Sequence, residues 1–338
     1  MFRRTVGITV LLVAAAVSTA TLVASGPSGA ASRKYTIAYV AGQPLDSPRV
    51  EAIVSGGRAA AKKLGVQYIA EGLGLYDPEY FFRSLIAQHV DAIASEGYDP
   101  TLIPILAKVR AAGILLLATG DDIAAKRSVW VNYSDPVAYA QALADALASQ
   151  MKGRGEYAIT MQPGQFPIAD EWTRLAEKYM AKTYPNMRLD GVLEGSDPTG
   201  QPEPQKLEHY MATHPKLKGF LGIVPRASYA AAIAITETHK IGKIFSAGNG
   251  DGSFTDPLPA WVRNGSTEFV YGGDPVKIGY LTVWAAEYLL SGHRFKPGAY
   301  NVGGPIGMVW YHASHQELRL GPPLTITKAN VDVYANRF

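Results

Sequence analysis

The 338-residue sequence contains no cysteine. That excludes disulfides, thiolate catalysis, cysteine-bound zinc, iron–sulfur clusters and the lipid-modified cysteine that tethers many exported proteins. Charge is also sparse: Asp, Glu, Lys and Arg make up 18% of the chain, with a formal net charge of +3. No basic stripe accompanies it, and pairs such as Lys62-Lys63 read as solvated faces, so no nucleic-acid partner is predicted. The common catalytic signatures are missing. There is no G-x-S-x-G elbow, no Walker loop, no G-x-G-x-x-G at a strand–helix junction and no H-E-x-x-H. "GNGDGSFTD" alternates acids like a calcium loop but lacks the closing bidentate Glu, and His312 and His315 are too few to hold a metal. Neither a metal nor a cofactor is predicted.

What is present is apolar and periodic. Hydrophobic residues make up 47% of the chain, enough for one large or two medium domains. The N-terminus has a basic start (Arg3, Arg4), an apolar run from Val6 to Ala24, and then the small-residue flank "SGPSGAAS". This predicts a signal peptide over 1–32 and an exported mature chain, periplasmic or at the cell envelope, with no later spanning segment.

From Tyr35 short apolar runs alternate with helical periods, the signature of a parallel α/β sheet. "YTIAYVAG", "VQYIAEG", "VDAIAS", "ILLLATG" and "SVWVNY" read as strands with helices between them. Near Ser134-Asp135-Pro136 the pattern restarts and runs through "EYAITMQ", "MRLDGVLEG", "KGFLGIVP", "KIFSAG" and "TEFVYGG". The prediction is an α/β fold of two doubly wound, Rossmann-like lobes with a hinge between them. Lobe 1 is assigned 33–134 plus 276–298, and lobe 2 is assigned 135–275 plus 299–338.

In such sheets ligands bind beyond the carboxyl ends of the strands, so the loops there are the candidates. They hold acids, amides and glycines: "GQPLDSPR", "EGYDP", "GDD", "QPGQFPIADEW", "PRAS", "GNGDGSFTD" and "GGDP". A bland alternative stands beside each acid. Asp99, Asp135, Asp197 and Asp274 all precede Pro and could simply cap helices or turns. Asp274 follows an apolar strand where the chain is expected to cross between lobes, which favours a ligand contact.

"QHVDAIASEGYDPTLIPILAKVRAAGI" resembles the signature of type I periplasmic solute-binding proteins of ABC importers. "FLGIVPRASYAAA", "GDPVKIGYLTVWAAEYLLSG" and "ITKANVDVYANRF" resemble the branch that binds autoinducer-2, rhamnose and related sugars or polyols. The resemblance spans residue 34 to the end. It implies a non-enzymatic, monomeric binding protein that hands a monosaccharide or polyol to a membrane permease. It also implies a pocket using the backbone of Pro225 and Ala227, with Asp274, Asp46 and Asn249. Asp121 or Asp122 and Asp170 or Glu171 complete that set. The first loop has no lysine and residues 168–169 read Ile-Ala, departures that favour a neutral polyol or monosaccharide over autoinducer-2. An exported carbohydrate-active enzyme using two cleft acids is the rival expectation.

Overall fold

The computed structural model describes residues 34–72, 78–97, 99–123, 125–162, 167–197, 201–250 and 254–335. The predicted signal segment, Phe166 and Asp251 lie outside the described residues. Strands and helices alternate as β1 (Thr36–Ala41), α1 (Pro48–Leu64), β2 (Gln67–Gly72), α2 (Pro78–Ala87), β3 (Ala92–Ser95), α3 (Ile103–Ala111), β4 (Leu115–Thr119) and β5 (Val129–Asn132). A second run comprises α4 (Pro136–Met151), β6 (Gly155–Met161), α5 (Pro167–Thr183), β7 (Met187–Glu194), α6 (Pro204–Thr213), β8 (Leu217–Gly222), α7 (Pro225–Glu237), β9 (Phe245–Asn249), α8 (Leu258–Asn264) and β10 (Glu268–Tyr271). The chain ends with α9 (Pro275–Leu290), β11 (Gly298–Gly303), β12 (Gly307–His312), β13 (Glu317–Arg319), β14 (Leu324–Ile326) and α10 (Val331–Tyr334). Proline opens α1, α2, α4, α5, α6, α7 and α9, where its fixed φ suits the first turn and its missing N–H has no intrahelical acceptor to lose.

The strands form two sheets. One has the order β11-β12-β13-β5-β4-β3-β1-β2, the other β14-β10-β9-β8-β6-β7. Stripped of their edge strands, both read fifth, fourth, third, first, second from one side, so the two lobes share a doubly wound topology. In each, the order in which successive strands are added reverses between the parallel first and third strands, the switch point where such folds open a crevice. In the first lobe α1 and α9 cover one sheet face, and α2 and α3 the other. In the second, α4 and α5 cover one face, α6 and α7 the other.

One assignment from the sequence is corrected. Residues 299–319, expected in lobe 2, pair into the first sheet through β11, β12 and β13. Of the last four strands only β14 joins the second sheet, against β10. Strands β11 and β12 alternate exposed and buried residues, β13 has only three residues, and two of their pairings are antiparallel, so they lack the continuous apolar run and succeeding helix that mark a βα unit.

Three segments cross between the sheets: β5 to α4, β10 to α9, and β13 to β14. Asp135 and Asp274, at the first two crossings, cap α4 and α9 by accepting from backbone N–H groups two residues on. Arg319 of β13 pairs with Asp135, and also with Glu317, which accepts from Asn132 Nδ2 at 2.7 Å. The crossing of β10 to α9 returns the chain to the first lobe, where α9 lies directly on α1. That approach depends on glycine. A Cβ at Gly279 would overlap the Ile53 carbonyl, and one at Gly56 would overlap the Val276 carbonyl.

Gly279→Ala therefore forces two backbones apart, with no flexible side chain to yield. Overpacking of this kind should cost about 3 kcal/mol, at the upper end of the usual range, in urea denaturation. An unchanged midpoint would show that the helices can separate freely.

Candidate functional site

At the switch point of the first lobe, Glu96 directly follows β3 and is only 4% exposed. A carboxylate placed there needs partners, and it collects them from several elements. The Tyr39 hydroxyl of β1 donates to Oε2 at 2.8 Å, and the Gly42 N–H donates to the same oxygen at 3.4 Å. Arg49, in the first turn of α1, donates to Oε1 and to the hydroxyl of Tyr133, which follows β5. The guanidinium carbon also lies 5.6 Å from the centre of the Tyr133 ring. Gly120 makes room: its φ is +70°, and a Cβ there would stand 2.9 Å from both Glu96 Oε1 and the Tyr133 ring.

The electrostatics derive from this packing. Burial works against a charge on Arg49, but Glu96 and the nearby phenols outweigh it and hold the guanidinium protonated. Burial and the Glu96 charge push the Tyr39 phenol well above its ordinary range. Burial raises the Tyr133 phenol too, against the pull of Arg49. Both remain hydroxyls at any ordinary pH.

Asp121 stands beside this neutral pair as an extra negative charge. Its carboxyl is raised first by desolvation and then by Glu96, with Arg49 pulling the other way. Yet its surface is open to water. The two are compatible for a side chain in a concave crevice, ringed by protein atoms but still reachable. Among the described residues its carboxylate has no hydrogen-bond partner.

The neighbouring acid has a different task. Both oxygens of Asp122 engage Arg127, Oδ2 at 2.6 Å, and Oδ1 also accepts from the Ile123 N–H. Arg127 continues to the His315 carbonyl at 3.0 Å and lies over the Trp130 ring. Asp122 thus braces the loop after β4 against the β12–β13 turn. The sequence left Asp121 and Asp122 as alternatives, and the structure divides their roles.

Asp46 sits exposed in the turn before α1 and makes no hydrogen bond or ion pair to the cluster; from that segment it is Arg49 that reaches in. Asp170 and Glu171 occupy the solvent side of the first turn of α5, opposite the buried Ala169 and Thr173.

The second lobe supplies amides. Asn249, at the end of β9, donates through Nδ2 to the Ile223 carbonyl at 3.1 Å, which leaves its side-chain oxygen as an acceptor. Pro225 and Ala227 lie in the first turn of α7, whose cap, Val224, offers no side-chain acceptor to the leading amides. The Ala227 methyl is fully buried, so only its backbone can serve a ligand. Gln162 and Ser196, at the ends of β6 and β7, bond each other at 3.2 Å, and Gln162 donates to the Asp197 carbonyl at 2.8 Å.

Asp274 links the halves. Oδ1 caps α9 through the Val276 N–H at 2.9 Å, and among the described residues no donor reaches the second oxygen. The two residues before it, Gly272 and Gly273, lie against Tyr133. The structure therefore brings the Asp274 crossing up to the cluster of Arg49, Glu96, Asp121 and Tyr133. Arg49, Glu96 and Tyr133 were not among the predicted site residues, although Arg49 and Glu96 stand in the loops that the sequence singled out.

The raised carboxyl of Asp121 has a testable consequence. A carboxyl harder to ionise when folded destabilises the protein once pH exceeds its unfolded value, and the penalty is complete above the folded value. Asp121→Asn should therefore stabilise the ligand-free protein at neutral pH, and the gain should vanish below the ordinary aspartate range. Denaturation midpoints across pH that show no such gain would mean the crevice does not strain this charge.

Known proteins match this architecture. The profile of the family described as "Periplasmic binding protein domain" matches residues 37–294. No curated protein matches the chain. Among solved structures, a sugar ABC transporter protein of Actinomyces odontolyticus is 21% identical with a TM-score of 0.73, covering 89% of this chain and 97% of its own. An arabinose-binding protein of Geobacillus stearothermophilus is 17% identical with a TM-score of 0.73, over 89% and 99%. A solute-binding protein of Clostridium phytofermentas with bound L-rhamnose is 21% identical with a TM-score of 0.69, over 89% and 98%. At these identities the structural neighbours establish the two-lobed fold, and the profile over residues 37–294 establishes that the chain belongs to the periplasmic binding protein domain family.

Proposed function

We propose that this is an exported solute-binding protein that captures a monosaccharide or closely related polyol between its lobes and delivers it to an ABC permease. The observation that carries the reading is Asp121. It is a carboxylate kept in a crevice at a cost in stability, without a hydrogen-bond partner among the described residues, beside a paired Arg49–Glu96 couple. Such a group is retained for what it accepts. A sugar presents hydroxyl donors and acceptors around its ring, which suits Asp121 and Asp274 as acceptors and the first amides of α7 as donors. Tyr133 adds an aromatic face and a hydroxyl already oriented by Arg49. The folds shared with proteins named for arabinose and L-rhamnose point the same way. Glu96 is locked by three partners, so it acts as scaffold and not as a free acid for glycoside hydrolysis.

A site that pairs each hydroxyl rejects analogues lacking one, because its own buried groups are then stranded. Binding between two lobes would also expel water and present a closed form to the permease.

Differential scanning fluorimetry against pentoses, hexoses, deoxyhexoses, polyols and autoinducer-2 tests this. A true ligand at about 100 times its dissociation constant should add about 2.7 kcal/mol of stability. The ligand should be recovered unchanged after long incubation. A response confined to amino acids or peptides, or any turnover product, would reject the reading.

With the ligand in hand, Asp121→Asn and Asp274→Asn should each weaken binding by about 1.5–3 kcal/mol, as expected for hydrogen bonds to charged groups. Asn keeps the capping capacity at position 274, so stability there should hold within about 0.5 kcal/mol. Calorimetric titration showing wild-type affinity would remove the residue concerned from the site. Affinity should also fall as pH drops through the raised range of Asp121, because hydroxyl donors favour its ionised form.

A further inference from the structure

The second lobe holds a cavity of about 260 Å³ at the amino-terminal ends of β9 and β10, the opposite end of the sheet from Asn249 and Asp274. Its one carboxylate is Glu268, the first residue of β10. Glu268 is half-buried, and its carboxylate has no hydrogen bond or ion pair among the described residues. Burial alone pushes its carboxyl up to about 7, with no cation near enough to pull it back. Two of the polar side chains around it are already engaged. Gln150 donates to the Ser246 carbonyl at 2.8 Å, and the Thr267 hydroxyl donates to the Ser246 hydroxyl at 3.2 Å.

The rest of the lining narrows what could enter. Gln150 lies in the last turn of α4 and Asn264 ends α8, so the carbonyl ends of two helices border the cavity. Both helix ends carry partial negative charge and favour a cation. Phe245 and Val262 add apolar wall. A single carboxylate with apolar neighbours is a poor site for a hard metal ion, which needs several oxygens. The volume is several times the roughly 30 Å³ share of one water, enough for an alkyl chain. Lys328, the other charged lining residue, is exposed and makes no ion pair with Glu268.

The geometry points to a second binding site in this cavity, distinct from the inter-lobe crevice, that takes a small organic cation whose ammonium or guanidinium group pairs with Glu268. The alkyl portion of the ligand lies on Phe245 and Val262. Lys328 stays outside, where its like charge weakens binding slightly. Occupancy requires Glu268 to be ionised, so the site fills as pH rises through neutrality and each binding event below that point releases a proton.

Carbon-13 NMR of the glutamate carboxyls in the mature protein, with n-propylammonium chloride as probe and sodium chloride at equal ionic strength as control, tests this. The Glu268 midpoint should lie near 7 in sodium chloride and fall by about one unit or more with the probe. Calorimetry should show propylammonium binding that weakens about tenfold or more in Glu268→Gln, as for loss of a charged partner. Sugar affinity at the crevice should not change in that variant. In Lys328→Ala the midpoint in sodium chloride should remain near 7. Equal midpoints in the two salts would overturn the proposal, as would undiminished propylammonium binding by Glu268→Gln. So would a midpoint in the ordinary glutamate range that rises only in Lys328→Ala, since the protein's own lysine would then be the occupant.

Discussion

An ion placed at the end of a buried strand must be neutralised on the spot, and Glu96 imposes that demand on the first lobe. Leaving such a carboxylate unpaired costs several kcal/mol. Its partners come from β1, the loop after β1, the first turn of α1 and, through Arg49, the residue after β5. One charge therefore fixes the relative positions of strand ends that share no continuous chain. Because β1 and β3 flank the switch point, this fixed arrangement lies where a doubly wound sheet parts. The buried couple contributes little net stability by itself; what it supplies is a rigid, oriented wall for the crevice.

That wall is useful only if the second lobe is held in register with it. The three crossings do this by different means. Helix α9 is drawn onto α1 through Gly56 and Gly279, which sets where its amino end, and so Asp274, can lie. The first and third crossings are tied to each other by Arg319, which spans Asp135 and Glu317, with Asn132 completing the chain of contacts. Asp135 and Asp274 each cap a helix at a crossing. Capping and ligand binding are compatible at Asp274, because one carboxylate oxygen suffices for the cap.

Much of the fold was legible because each strand and helix announces itself locally. Apolar runs of the right length end in polar turns, and a proline then opens the next helix, as at Pro48, Pro136, Pro225 and Pro275. Strands β11, β12 and β13 broke that grammar, lacking a continuous apolar run, partly antiparallel and without helices of their own, so their sheet could not be read from the chain. The site was less legible for a related reason. Sequence reveals which residues stand in a strand-end loop but not how far each side chain reaches. Asp46 and Arg49 share one segment, yet the long guanidinium enters the cluster while the short acid stays in water. Asp121 and Asp122 are adjacent acids in one loop, and only the position of Arg127 separates a brace from an open acceptor.

The division between those two acids also shows how the scaffold and the binding surface are kept apart. Glu96 and Asp122 each spend both oxygens on neighbouring donors and hold loops in place. Asp121 is repelled by Glu96 and, among the described residues, has no donor of its own. Saturating it internally would make the protein more stable and the crevice inert. Under the proposed function, a polar solute that supplies donors to Asp121 would offset the desolvation that raises its carboxyl, so the same feature that costs stability would favour binding.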